Sequence, residues 1–123
     1  MPALNFQKRF ADAVERGLKQ QTIRAYRKRR FEEGDTLYLY TGMRTKVCRK
    51  LGEVVCSNVS NIEIDWTGIG IDGLGIPRRD CELMAEADGF TNFEEMVEWF
   101  DDAHGTPFRG QLIQWTTAPR RRT

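Results

Sequence analysis

Hydrophobic positions recur along this chain with two periods, and the switches between them mark out its elements. Phe6, Phe10 and Val14 fall at i, i+4 and i+8 with Ala13 alongside, which predicts an amphipathic helix over residues 6–16. Asn5 is placed to cap its start, and Gly17 falls where a left-handed residue closes a helix. From Thr36 to Thr41 the period changes to two: Leu37 and Leu39 alternate with Tyr38 and Tyr40, a strand opened by a turn over residues 31–35. A second strand is expected from Val47 to about Ser60, with a bulge near Leu51-Gly52. A third carries Ile62, Ile64 and Trp66 against Glu63 and Asp65.

Residues 67–73 are rich in glycine, and Ile69 and Ile71 read as a short strand among turns. The segment lacks the Lys-Ser/Thr of a phosphate-binding loop and the spacing of a dinucleotide fingerprint, so its glycines are read as a turn or close backbone packing. Two helices follow. One starts at Pro77 and ends near Ala87, with Asp88-Gly89 as its exit. The other opens on Thr91-Asn92-Phe93-Glu94, read as a capping box, and buries Phe93, Met96, Val97 and Phe100. A last strand spans Phe108 to Thr116. The order of helix, basic loop, strands, two helices and strand predicts a small α+β barrel, since these helices cannot serve as successive crossovers of a parallel sheet.

Composition narrows the class. With 123 residues, 40% hydrophobic and 30% charged, the chain is expected to form one globular domain over residues 1–117, followed by a basic tail at 118–123. No apolar run is long enough for a membrane span, and the first residues lack the apolar core of a signal peptide, which predicts a cytoplasmic protein without a membrane partner. Cys48, Cys56 and Cys81 form no C-x-x-C pair and are read as small apolar residues; a nucleophile pair of Cys81 with the single histidine, His104, is the weaker alternative. No cofactor motif and no metal-ligand spacing stands out. The acidic run Glu95, Glu98, Asp101 and Asp102 is read as a solvated helix face, with a protein-interaction surface or an Asp101/Asp102 metal site as alternatives.

Charge changes the picture more. Residues 1–60 carry thirteen Lys/Arg against six Asp/Glu, and residues 61–123 carry six against twelve. Such asymmetry suggests one face for a polyanion. Its densest part is Arg24, Arg27, Lys28, Arg29 and Arg30, with Tyr26 among them. Guanidinium groups bind phosphates and tyrosine stacks on unpaired bases, so the segment is a candidate RNA contact. Just before it, Lys19, Thr22 and Arg24 place an amine, a hydroxyl and a guanidinium close in sequence. Taken alone, Lys19 complements a helix C-terminus, Thr22 begins a strand and Arg24 pairs with a surface acid.

Four passages together resemble the ASCH-domain family of the PUA-like β-barrel superfamily: the helix around Phe10; Gly17-x-Lys19-x-x-Thr22-Ile23-Arg24; Gly34-Asp35-x-Leu37; and the closing Asp88-Gly89-Phe90, Met96, Trp99-Phe100 and Leu112-Ile113-x-Trp115. The resemblance implies a barrel of five to six strands flanked by about three helices, with a cleft beside the first helix. It also implies a role toward RNA or a modified nucleoside. Some bacterial members resembling this chain remove the acetyl group from N4-acetylcytidine. Carried over, Lys19 is the base, Thr22 the nucleophile or hydrogen-bonding hydroxyl, and Arg24 a stabiliser of developing negative charge. A threonine hydroxyl needs such a base, and a desolvated lysine can supply one. Those enzymes use a glutamate where this chain offers Asp88, with Glu86 two residues earlier.

Overall fold

The structure, a computed structural model, describes residues 2–119, so the basic tail Arg120–Arg122 lies outside the described residues. In chain order the elements are β1 (Ala3–Phe6), α1 (Lys8–Glu15), β2 (Gln21–Ala25), β3 (Thr36–Thr41), β4 (Arg49–Val55), β5 (Asn58–Asp65), β6 (Gly68–Ile71), β7 (Leu74–Gly75), α2 (Arg78–Ala87), α3 (Phe93–His104) and β8 (Phe108–Gln114). The fold is α+β, with three helices and two sheets in the orders β1-β3-β4 and β2-β8-β5-β6-β7. No helix among the described residues is long and apolar enough to cross a membrane. The described residues pack as two compact units, one from residues 2–20, 31–58 and 114–119, the other from residues 21–30 and 59–113.

The first unit is built on β3. Its buried Leu37 and Leu39 alternate with half-buried tyrosines, as the period of two requires. Opposite it in β4, Leu39 pairs with Gly52 but Tyr40 with Lys50, so Leu51 is the extra residue of a bulge at the expected place. The chain's opening departs from expectation. Residues 3–6 form a strand running parallel to β3, with Ala3 opposite Tyr38 and Phe6 opposite Thr41. The helix therefore starts two residues later than predicted, and Gln7, not Asn5, stands at its N-cap. Phe6 is buried as a strand residue, edge-on to Trp115 with ring centroids 6.4 Å apart.

Gly17 does close α1. At φ 77° it donates to the Val14 carbonyl at 3.1 Å, while Leu18 N–H reaches the Ala13 carbonyl at 2.8 Å. These two bonds satisfy carbonyls that the last helical turn leaves orphaned.

In the second unit one face of the five-stranded sheet packs on α2 and α3. Ile62, Ile64 and Ile69 meet Cys81, Ala85, Phe93, Met96, Val97 and Phe100 in a single core, joined by Ile23, Phe108 and Leu112. The expected strand from Val47 to Ser60 is thus two strands, β4 and β5, in different sheets. Helix α2 ends as α1 does: Gly89 at φ 97° donates to Glu86 O at 3.0 Å and Phe90 N–H to Ala85 O at 2.9 Å, leaving Asp88 as the C-cap. Helix α3 is capped one residue later than the predicted box. Asn92, not Thr91, is its N-cap, and its Oδ1 accepts from Glu95 N–H at 2.8 Å. Glu82 of α2 supplies a second cap, accepting from Phe93 N–H at 2.8 Å.

Candidate functional site

Residues 17–30 cross from one unit to the other, and their roles divide with it. Lys19 belongs to the first unit. Its backbone N–H donates to Ala13 O at 3.0 Å, which fixes it just beyond α1, and only 5% of the residue is exposed. Its ammonium lies 5.4 Å from the centroid of the Phe10 ring, within the range of a cation–π attraction. A buried ammonium is costly to desolvate, and the Phe10 ring offsets part of that cost.

Thr22, Arg24 and Asp88 belong to the second unit. Strand alternation puts Thr22 and Arg24 on one side of β2 while Ile23 enters the core. Arg24 Nε donates to Thr22 Oγ1 at 2.9 Å. Burial pushes the Arg24 guanidinium down to about 10, and the Asp88 carboxylate opposes that shift. At neutral pH Arg24 therefore remains a cation, bonded to the Thr22 hydroxyl and attracted by the Asp88 carboxylate. Thr22 is 5% and Asp88 7% exposed, whereas Glu86, the alternative acid, is exposed. Gly110 explains how β2 comes so close to β8: a Cβ there would meet Arg24 O at 2.2 Å and the Phe108 ring at 2.9 Å. Gln21, overlooked in the sequence, is also buried here, and its Nε2 has no hydrogen-bond partner among the described residues.

Past Ala25 the chain becomes exposed, and Tyr26, Arg27, Lys28, Arg29 and Arg30 all reach solvent. Tyr26 is the fixed point of the segment. Its hydroxyl donates to Asn61 Oδ1 at 2.6 Å, and the Arg30 guanidinium lies over its ring at 3.7 Å from the centroid. Arg27 Nε donates to Arg29 O at 2.6 Å, which curls the run on itself. Two basic residues of the first unit pair with acids: Arg49 reaches both carboxylate oxygens of Glu15 at 2.9 Å, and Lys50 pairs with Glu53.

A cleft of about 500 Å³ lies in the second unit, and of the predicted residues only Tyr26 lines it. Its other walls are Asn61, Glu63 and Asp65 of β5, Arg109 of β8 and the glycines of β6 and β7. Arg109 Nε donates to Glu63 Oε2 at 2.6 Å, and the Thr67 hydroxyl and N–H hold the Asp65 carboxyl below its usual range. Thr22, Arg24 and Asp88 do not line this cleft. Its walls went unrecognised because Glu63 and Arg109 are 46 residues apart and each reads singly as a solvent-facing strand residue.

The remaining candidates resolve simply. Cys56 and Cys81 are buried and Cys48 is exposed, all three as free thiols, and burial pushes the Cys56 thiol up, away from reactivity. The Asp101 carboxylate accepts from the Thr106 hydroxyl at 2.8 Å. No group of three or more His, Cys, Asp or Glu suited to a metal ion occurs among the described residues. No protein-family model, curated protein or solved structure matches the chain.

Proposed function

We propose that this protein is a nucleic-acid-directed domain of ASCH type that binds RNA or a nucleotide through the segment from Arg24 to Arg30. The reading takes with it a PUA-like barrel of five to six strands and residues 1–117 as one domain. One arrangement carries it: a tyrosine anchored by Asn61, flanked by a guanidinium on its ring and followed by exposed Arg27, Lys28 and Arg29. An aromatic ring beside a cluster of cations is what a single strand requires, with bases stacking and phosphates neutralised. Replacing Arg27, Lys28 and Arg29 together with glutamine is expected to weaken binding of a short single-stranded RNA at least tenfold without changing the thermal midpoint. Unchanged RNA affinity in that variant rejects the reading.

A second reading is favoured by the burial of Lys19, Thr22 and Asp88, three polar groups that a surface role would leave in water. It is an amidohydrolase acting on N4-acetylcytidine or a related acylated nucleoside. The Thr22 oxygen attacks the acyl carbon as a base, the role the resemblance gives to Lys19, takes its proton; Arg24 stabilises the negative charge that develops on the acyl oxygen, and Asp88 is the accompanying acid. The carbon–nitrogen bond breaks as the proton passes to the leaving N4, and water then releases acetate from Thr22. Incubation with N4-acetylcytidine should release cytidine, and Thr22→Ala should abolish that release. Undiminished turnover in Thr22→Ala, or none in the native protein, rejects this second reading.

A further inference from the structure

The outer face of the second unit's sheet contains a trough that no packing requirement explains. Side chains on β5 alternate: Ile62 and Ile64 enter the core, and Asn61, Glu63 and Asp65 point the other way. The register then sets Glu63 opposite Gly70, and Gly70 opposite Gly75. Across β5, β6 and β7 one row of the outer face thus reads carboxylate, glycine, glycine, with Arg109 of β8 bound to the carboxylate at its far end. Neither glycine has a left-handed φ. A Cβ at Gly75 would meet nothing within 4 Å, and one at Gly70 only the Leu74 carbonyl at 3.8 Å, an ordinary contact. Of the glycines in residues 67–73 expected to serve a turn or close backbone packing, Gly70 does neither. Gly73 is different: with Asp72 at φ 50° and Gly73 at 85°, it forms the two-residue turn of the β6–β7 hairpin.

Glycine in a strand forfeits side-chain packing and costs conformational entropy, so an unforced pair on one floor marks a place where something approaches the backbone closely. We infer that this trough binds the base of a nucleoside: a planar, uncharged nitrogen heterocycle lying on Gly70 and Gly75, with its polar edge toward Glu63 and Arg109. The shape follows from the bare floor, which offers a flat backbone surface beside the Tyr26 ring. The edge chemistry follows from the wall, where a carboxylate accepts from ring or exocyclic N–H groups. Arg109 spends its Nε on Glu63, and its other guanidinium nitrogens are donors able to meet acceptors on such an edge. The charge follows from the balance of the lining, where Glu63 and Asp65 outnumber Arg109 and disfavour a phosphate inside the cleft. Its volume suits one nucleoside-sized ligand. This rests on the nucleic-acid reading for the class of ligand, but on different residues from Thr22, Arg24 and Asp88.

The test is a nuclear magnetic resonance titration of the full chain with guanosine, cytidine, adenosine and uridine, each beside its 5′-monophosphate. At least one nucleoside should shift the amide signals of Gly70 and Gly75 and bind more tightly than its monophosphate. Gly75→Val fills the trough at a position with space for it; it should fold with an unreduced thermal midpoint and weaken the nucleoside at least tenfold. A short single-stranded RNA that loses affinity in Gly75→Val identifies the base as part of a strand; retention there assigns the trough to free nucleosides. Absence of shifts at Gly70 and Gly75, or affinity unaffected by Gly75→Val, overturns the inference. RNA binding that still depends on Arg27, Lys28 and Arg29 would then leave the broader reading standing.

Discussion

Arg24 is held by contacts of different strength, and two substitutions separate them. Thr22 Oγ1 is the acceptor for its Nε, so Thr22→Val keeps the shape of the side chain and removes that acceptor from a charged donor. Loss of a hydrogen bond to a charged group costs about 2 kcal/mol, and Thr22→Ser should restore most of it, as urea denaturation would register. Gly110→Ala acts from behind: the new methyl collides with Arg24 O, where backbone cannot swing aside as a flexible side chain does. Overpacking of this kind costs about 2 kcal/mol, and the variant should also disturb the amide signals of β2. The sequence leads to Thr22 as the start of a strand and Arg24 as the partner of a surface acid, so the Thr22–Arg24 bond goes beyond that reading. Asp88 was singled out only through the family resemblance, because nothing local ties a residue at the end of α2 to β2.

Between elements, the caps of α3 make the clearest case. Asn92→Ala removes the side chain that holds Glu95 N–H and should cost about 1 kcal/mol. Glu82 reaches the same helix end from α2, and its bond to Phe93 N–H, followed by Arg78, holds its carboxyl below the usual range. A carboxylate so depressed contributes stability above its ordinary pKa and loses it as the pH falls through the folded value. Acidification through the carboxylate range should therefore destabilise the native protein more than Glu82→Gln, which thermal melts at stepped pH would measure.

Local signals were read correctly from the chain: the glycines closing α1 and α2, the alternation of β3 and the bulge at Leu51. Features set by distant residues were not. Phe6 fits a helical i, i+4 pattern with Phe10, yet pairing with β3 makes it a strand residue. The expected Val47–Ser60 strand is divided because its two halves find different sheets, a choice that periodicity does not carry.

For the whole molecule, the division of charge along the sequence is recast by topology. The basic segment 21–30 belongs to the unit of residues 59–113, which holds all twelve acids of residues 61–123. The cations at Arg27–Arg30 thus stand out on an acidic unit, and a polyanion should engage that segment rather than a broad basic face. The most direct measurement is the affinity of a short single-stranded RNA as a function of salt, for the native protein and for the variant lacking the charges of Arg27, Lys28 and Arg29. Each phosphate neutralised on a single strand contributes about 0.7 to the slope of log affinity against log salt. The native slope should be steep, and loss of three cations should flatten it by about 2. A native affinity that does not fall with salt, or a slope equal in both proteins, would contradict the assignment of this segment as the nucleic-acid contact.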